Sequence, residues 1–377
     1  MKNITGIYYF APIFDIGGYG TVARNYLLAM QKLGVPIYVH NHGAPDSQVV
    51  KDNEDFVNSV SVKNPEMLGD KVALIFHSDP RFIKPFESPR IVKNIGMSIF
   101  ETDRISPDWA ENLNKMDEVW IPTKFNYETF KNSGVDESKL KVVRYCIDTR
   151  TFNDNTEYGT LNYLGDNLGF IFTYVSAYDH RKGYELLIDS FCEAFTKDDD
   201  VTLVLKIFIP DWSNEKQAMA ELTQRILKYK NRPRILISNA RMSNDDLLSL
   251  YNMSDAYIST ERASGWGMPE MEMMAMGKPV ASIHWGGTTE YMNSSNSYPI
   301  NVSGELEDVD QRLQTHRPTY AGHKWACVDK QDVITALREI YFDKEKRENI
   351  GKKAKEDVET ILSPDSIAEE LKRALEE

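Results

Sequence analysis

Short apolar runs rich in β-branched and aromatic residues recur along the first part of the chain, at "GIYYFAPIF", "VPIYVH", "VALIF", "NIGMSIF", "EVWIP" and "KVVRYC". Runs this short, with little polar alternation, predict strands buried on both faces. Between them lie stretches with helical spacing of apolar positions, such as "TVARNYLLAMQKLG" and "NYETFKNSG". Each ends in glycine, which suits a helix C-cap. A polar Asn/Gly-rich stretch, "NDNTEYGTLNYLGDN", interrupts the alternation, which then restarts. The second series has strands at "FIFTYVS", "VTLVLKIF", "RILIS", "DAYIST" and "PVASI", with helices at "YELLIDSFCEAF" and "DDLLSLYN". The C-terminal "DKEKRENIGKKAKEDVETILSPDSIAEELKRALEE" predicts two charged amphipathic helices broken at Pro364. Strands alternating with helices predict an α/β protein with two Rossmann-like domains facing a central cleft. The expected boundaries are 1–160 and 161–360, with 361–377 as a helix packing back towards the first domain.

Composition adds bounds to that picture. The 377 residues suffice for two domains, and 41% hydrophobic with 27% charged residues is the make-up of a soluble globular chain. No apolar run approaches the roughly 20 residues needed to span a bilayer. The opening "MKNITGIYYFAPIF" lacks a small-residue cleavage site and reads as a first strand. Cys146, Cys192 and Cys327 are odd in number, far apart and without metal spacing, which points to a reducing cytoplasm. Lys and Arg total 44 against 57 Asp and Glu, a net charge of −13. That balance argues against a polyanionic partner such as nucleic acid, while a local basic groove stays compatible with it. "TKDDD" at 196–200 reads as a solvated turn, so neither a metal nor another cofactor is expected.

In open α/β sheets ligands sit beyond the carboxyl ends of strands, so the segments just after strands carry the candidate chemistry. Gly18-Tyr19-Gly20-Thr21-Val22-Ala23 fits G-x-G-x-x-A, the dinucleotide fingerprint. The second strand ends in His40-Asn41-His42, without the acid that holds a nicotinamide ribose. This disfavours a nicotinamide enzyme and leaves two readings, a glycine loop admitting a phosphate or a tight packing turn. After a later strand, Asp179, His180, Arg181, Lys182 and Gly183 precede a helix. Two adjacent cations there suit a diphosphate, or form a solvated basic turn.

The third candidate is "SGWGMPEMEMMAMGKPV", residues 264–280. Pro269 suits the first position of a helix, and Gly267 and Met268 would then offer free amides at the positive end of its dipole. Glu270 reads as a first-turn acid complementing that dipole, Glu272 lies one turn in, and Met271, Met274 and Met276 read as core filler. His77 ends the strand "VALIF", and Glu101 and Thr102 follow "NIGMSIF".

The stretch "RASGWGMPEMEMMAMGKPVASIHWGGTTEYM" resembles the signature of glycosyltransferase family four, retaining enzymes of GT-B fold, whose form reads E-G-W-G-L-P-x-x-E-A-M-A-x-G-K-P-V. "HRKGYELLIDSF" is similar to the family's R/K-K-G element and "GGYGTVARNYLLAMQKLG" to its N-terminal glycine loop and helix. "ETDRISPDWAENLNKMDEVWIPTKFNYETFKNSGV" and "KVVRYCIDTRTF" resemble one branch's linker-side pattern. The likeness runs from about residue 10 to 345, with the motifs in the expected order.

The resemblance implies a nucleotide-diphosphate sugar as donor and a hydroxyl acceptor of glycan, glycolipid-precursor or small-molecule type. A peripheral membrane contact would suit a lipid-linked acceptor. By the same resemblance Glu272 grips the donor ribose, Gly267 and Met268 receive the diphosphate beside Gly18 and Tyr19, and Arg181 and Lys182 neutralise the leaving phosphate. His77 would touch the donor sugar or pyrophosphate, and Glu101 and Thr102 an acceptor. Two positions depart from the pattern. The family's first glutamate, which contacts the transferred sugar, is Ser264 here, with Glu261 three residues earlier. The family's arginine five residues before the lysine is Ala177, with Arg181 beside the lysine instead. A transferase acting on modified DNA bases and a catalytically inactive nucleotide-binding subunit remain alternatives.

Overall fold

The structure is a computed structural model that describes residues 4–153, 159, 161–209 and 214–376. Its chain divides into two compact units, Met1–Thr149 with Thr360–Glu377, and Arg150–Glu359.

The first unit is built on a six-stranded parallel sheet of order β2-β1-β3-β4-β5-β6. Its strands are β1 (Gly6–Ala11), β2 (Ile37–Asn41), β3 (Val72–His77), β4 (Ile91–Met97), β5 (Glu118–Ile121) and β6 (Leu140–Val142). Each apolar run of the sequence is a strand, and β3 and β5 are buried at every position. The crossovers include α1 (Gly18–Met30), α2 (Ser47–Val60), α3 (Pro107–Leu113) and α4 (Lys124–Asn132). Gly34 and Gly134 close the α1 and α4 segments at φ of 70° and 100°, the left-handed backbone that glycine adopts without strain. The sequence pattern did not mark α2. Only its Val57 is buried, so its apolar stripe is too thin to read, and Asp46 starts it by accepting from the amides of Gln48 and Val49.

The second unit repeats the plan, with strand order β12-β11-β10-β7-β8-β9. Its strands are β7 (Phe170–Ala177), β8 (Val201–Phe208), β9 (Arg234–Ser238), β10 (Ala256–Ser259), β11 (Val280–Ile283) and β12 (Tyr298–Ile300). A two-stranded antiparallel ribbon, β13 (Glu307–Asp308) with β14 (Lys324–Trp325), lies beyond them. The helices are α5 (Tyr184–Ala194), α6 (Glu215–Leu227), α7 (Asn244–Met253), α8 (Met268–Ala275), α9 (Gln311–His316), α10 (Lys330–Phe342) and α11 (Lys344–Ile361). Met271, Met273, Met274 and Met276 are all buried and fix α8 against β10 and β11.

The division into compact units falls between Thr149 and Arg150. Leu161, Leu164 and Leu168 pack with Ile171, Val204 and Leu250 in the core of the second unit. Between Arg150 and Leu161, residues 154–158 and 160 lie outside the described residues. The last helix, α12 (Pro364–Glu376), packs on α1 of the first unit. Lys32 pairs with Asp365 at 2.7 Å, Arg144 with Glu370, and the Ile147 amide donates to the Leu362 carbonyl at 3.0 Å. Among the described residues no helix is long and apolar enough to cross a membrane.

Candidate active site

Both sheets reverse their winding in the middle. In the second unit the chain winds from β7 outward to β9, returns to β10 beside β7, and winds outward to β12. The crevice at such a reversal, outside the strand ends, is where ligands bind in doubly wound sheets. The loops following β7 and β10 therefore define the candidate site of this unit. They hold Arg181 and Lys182 on one side and residues 260–268 on the other.

These loops are tied to each other. The Arg262 amide donates to the Arg181 carbonyl at 2.8 Å, and the Thr260 hydroxyl donates to the Gly183 carbonyl at 2.9 Å. Gly183 carries a φ of 66°, and a Cβ there would stand 2.1 Å from the Thr260 carbonyl oxygen, so only glycine lets the two loops close. The buried Asp179 accepts from the Arg181 amide at 2.9 Å and starts the short turn that carries both cations.

The main electrostatic feature was not foreseen from the sequence. Glu261, only 7% exposed, accepts from Arg181 Nη1 through Oε1 and from Lys182 Nζ at 2.7 Å through Oε2. Arg181 Nη1 also donates to the Ala263 carbonyl. One buried carboxylate thus balances two partly buried cations. Glu261 reaches the cation pair and stands as its counter-ion.

Gly267 caps α8 at φ 89°, and a Cβ on it would meet Thr288 Cγ2 at 2.6 Å and the Tyr291 hydroxyl at 2.9 Å. The helix starts at Met268, which puts Pro269 at the second helical position and not the first. The first amides of a helix have no carbonyl to pair with, so this end presents donors and a positive dipole end. Ser264 is 5% exposed; its carbonyl accepts from the Gly287 amide at 2.7 Å, and its hydroxyl makes no hydrogen bond among the described residues. Ala177 ends β7, with no cation in the place the resemblance assigns to arginine.

Two carboxyl groups lie under this loop. Glu272 is buried and accepts from the Tyr251 hydroxyl of α7 at 2.9 Å. Burial pushes it up to about 8, with the Tyr251 hydrogen bond opposing and Glu270 adding to the rise. Glu270 lies in the first turn of α8, as the sequence suggested, but it is not open to solvent. It is 1% exposed, and neither carboxylate oxygen meets a donor in hydrogen-bond geometry. Burial, then the charge of Glu261, pushes Glu270 up to about 7, while nearby Ser259, its own backbone amide and Lys182 pull back weakly.

In the first unit the winding reverses between β1 and β3, and the loop after β1 leads into α1. Gly18 opens α1 with nothing near where a Cβ would stand, whereas a Cβ on Gly20 would lie 2.0 Å from the Asp15 carbonyl oxygen. The two glycines therefore differ in role. Gly20 is a packing glycine, and Gly18 leaves open space at a helix start. His77 is fully buried at the end of β3, and its Nδ1 pairs with the Tyr9 hydroxyl at 2.9 Å. The rings of Tyr19, Tyr9, Tyr26 and Tyr145 lie 5.5, 6.2, 6.3 and 6.4 Å from its own. Burial, with His42 adding, lowers His77 to about 3, so the imidazole is neutral. The other ring nitrogen, Nε2, is buried and has no hydrogen-bond partner among the described residues.

Tyr19 donates to the Ile99 carbonyl at 3.3 Å, two residues from Glu101. Glu101 is half-buried at this end of β4. Thr102 is fully buried and its hydroxyl donates to the Arg104 carbonyl at 3.3 Å. The candidate residues thus form two groups. Gly18, Tyr19, His77 and Glu101 collect on the first unit, and Arg181, Lys182, Ser264, Gly267, Met268 and Glu272 on the second.

Comparison with known proteins bears on both units. Residues 166–308 match the family model of Glycosyl transferases group 1. That stretch contains every candidate residue of the second unit. Mannosylfructose-phosphate synthase of Agrobacterium fabrum is 27% identical over 108 residues, 28% of this chain and 24% of that protein, so the match spans about a quarter of the relative. Among solved structures, Anabaena HepE in complex with UDP and glucose superposes with a TM-score of 0.68 at 16% identity, over 99% of each chain. Sucrose-phosphate synthase of Thermosynechococcus elongatus gives 0.64 at 12% identity, over 99% of this chain and 98% of that one. A glycosyltransferase of Rickettsia africae gives 0.65 at 16% identity, over 99% and 98%. The fold is GT-B.

Proposed function

We propose that the protein is a retaining, metal-independent glycosyltransferase of the family-four type. It moves a sugar from a nucleoside diphosphate to a hydroxyl acceptor. The observation that carries the reading is the cation pair Arg181–Lys182 at the winding reversal of the second sheet, tied by backbone bonds to the loop that opens α8. That placement suits a diphosphate leaving group, whose developing charge two fixed cations and a helix start would stabilise. Glu272 would hold the ribose and Ser264 would border the sugar. The same reading gives Gly18, Tyr19 and His77 to the donor and Glu101 and Thr102 to the acceptor.

No pair of carboxylates is set for double displacement in this reading, and the leaving phosphate itself takes the acceptor's proton. The protein contributes position and positive potential. The similarity to HepE, solved with UDP and glucose, supports a nucleoside diphosphate in this role. A melting screen against UDP, GDP, ADP, dTDP and CMP tests the reading. A cognate diphosphate should stabilise folding by about 2.7 kcal/mol at a hundredfold excess over its Kd. If folded protein shifts with none of them, the reading fails. Binding without transfer or slow hydrolysis of any sugar donor would favour the inactive subunit.

A further inference from the structure

Glu261 and Glu270 have no place in the reading above, yet both lie inside its donor site. Glu261 spends both carboxylate oxygens on the two cations assigned to the diphosphate. Glu270 lies beside it with neither oxygen hydrogen-bonded. An arriving diphosphate brings two or more negative charges to cations already paired with a carboxylate. Anions cannot share that space at low cost, because like charges at close range in a buried site repel strongly.

We propose that Glu261 is the positioning residue of the donor site. It holds Arg181 and Lys182 in place while the site is empty, and yields them to the diphosphate as the Glu261–Glu270 pair takes up a proton from solvent. The inference rests on the proposed donor site. In the empty site the carboxylate keeps two poorly solvated cations from facing each other unbalanced. In the filled site it would be an uncompensated anion next to a phosphate, and a proton taken up by the pair of carboxyls lowers the negative charge there by one.

The surroundings fit such an exchange. Glu261 faces Arg181 and Lys182 from the turn after β7, Tyr174 from β7, Glu270 from α8 and Tyr291 from the turn after β11. Glu270 faces Lys182, Tyr174, Tyr251, Tyr257, Tyr291 and Glu272 besides. Burial keeps all four tyrosines protonated, which leaves Glu270, pushed up to about 7 by burial and by the charge of Glu261, as the group beside Glu261 that titrates near neutrality. Glu270 at about 7 can take up a proton beside the Glu261 carboxylate at working pH.

Calorimetry of UDP binding in buffers of different ionisation enthalpy tests the exchange, with GDP, ADP and dTDP as further probes. At pH 8, where the UDP phosphates carry no proton, the wild type should take up about half a proton or more per site. Uptake should shrink towards zero near pH 6, where Glu270 already holds its proton. Affinity should fall up to about tenfold per pH unit above neutrality. Glu261→Gln keeps the shape and removes the charge. It should abolish the uptake, bind UDP at least as tightly at pH 8, and lower the melting temperature of the empty protein. Glu261→Asp should restore part of the uptake. Should Glu261→Gln fail to fold, Glu270→Gln carries the test, with uptake expected to fall sharply. Binding without proton uptake in the wild type, or full uptake in Glu261→Gln, overturns the exchange and leaves the donor site standing. Silence from all four nucleotides in folded protein overturns both.

Discussion

Lys182 Nζ lies 2.7 Å from Glu261 Oε2, and Arg181 engages the other oxygen of the same carboxylate. The two cations are thereby held by one anion contributed from the neighbouring loop. Lys182→Ala removes one fixed cation from the proposed site of the leaving phosphate. Turnover should drop by roughly two to three orders of magnitude, the range seen when one donor aimed at developing charge is lost. Arg181→Ala should act in the same direction. Steady-state kinetics with the cognate donor decides it, and wild-type kinetics in both variants would remove the cation pair from the mechanism.

Glu272 should separate from the cations by the kind of damage its loss does. A ribose contact holds the ground state and the transition state alike, so its removal raises KM and spares kcat. Glu272→Ala should weaken nucleotide binding by about 10- to 100-fold, the worth of a hydrogen bond to a charged or strongly polar group. Tyr251→Phe removes the hydroxyl that orients Glu272 and should give a smaller loss of the same type. Titration calorimetry reads both, and an effect on kcat alone would reassign Glu272.

The architecture was legible because buried parallel strands announce themselves as short apolar runs. β1 to β11 all fall on such runs, whereas β12, three residues long at Tyr298–Ile300, is too short to carry a pattern. Gly267, Arg181 and Lys182 were legible as a glycine before a helix and a cation pair after a strand. The Glu261 pairing was not, because it joins residues some 80 positions apart through tertiary packing of two loops. The burial of Glu270 was not legible for a related reason. An acid in the first helical turn usually points to solvent, but here α8 is buried on almost every side.

Glu270 should leave a mark on stability against pH. Its folded value of about 7 stands above the ordinary value of 4.5, so the folded protein binds that proton more tightly than the unfolded chain does. The resulting stability is fully present below about pH 4.5 and is lost as pH rises through 7. Glu270→Gln removes this dependence while keeping the shape. The variant should match the wild type near pH 4.5 and exceed it by about 1–3 kcal/mol at pH 8. Denaturant unfolding at the two pH values reads the difference. A gap that is equal at both would mean that Glu270 does not titrate in this range.

Gly267 and Gly18 make a paired test of what the glycines are for. Gly267→Ala forces a side chain into left-handed backbone at φ 89° and against Thr288 Cγ2 at 2.6 Å. It should cost about 2 kcal/mol or more in stability. Gly18→Ala meets no atom within 4 Å and should leave stability within about 0.5 kcal/mol of wild type. If Gly18 admits a donor phosphate to the α1 start, Gly18→Ala should nonetheless raise KM for the donor. An unchanged KM would leave Gly18 without a role in donor binding.

Ser264 stands where the family resemblance places a sugar-contacting glutamate; it is buried, and its hydroxyl makes no hydrogen bond among the described residues. A glutamate would present two acceptor oxygens to sugar hydroxyls, while serine offers one short hydroxyl and leaves room. Sites built on bonded hydroxyls reject sugars that lack them, because their own polar groups go unpaired. With serine that demand is absent, so the wild type should accept donors whose hydroxyl pattern differs from glucose or mannose. Ser264→Glu should shift the ranking across a panel of nucleotide sugars towards those two. The new carboxylate would also stand next to Ala263, whose carbonyl already accepts from Arg181, so it should compete with Glu261 for that guanidinium. A reordered panel in the variant would tie position 264 to sugar choice. An unchanged order, with both proteins active, would move the sugar contact to another residue.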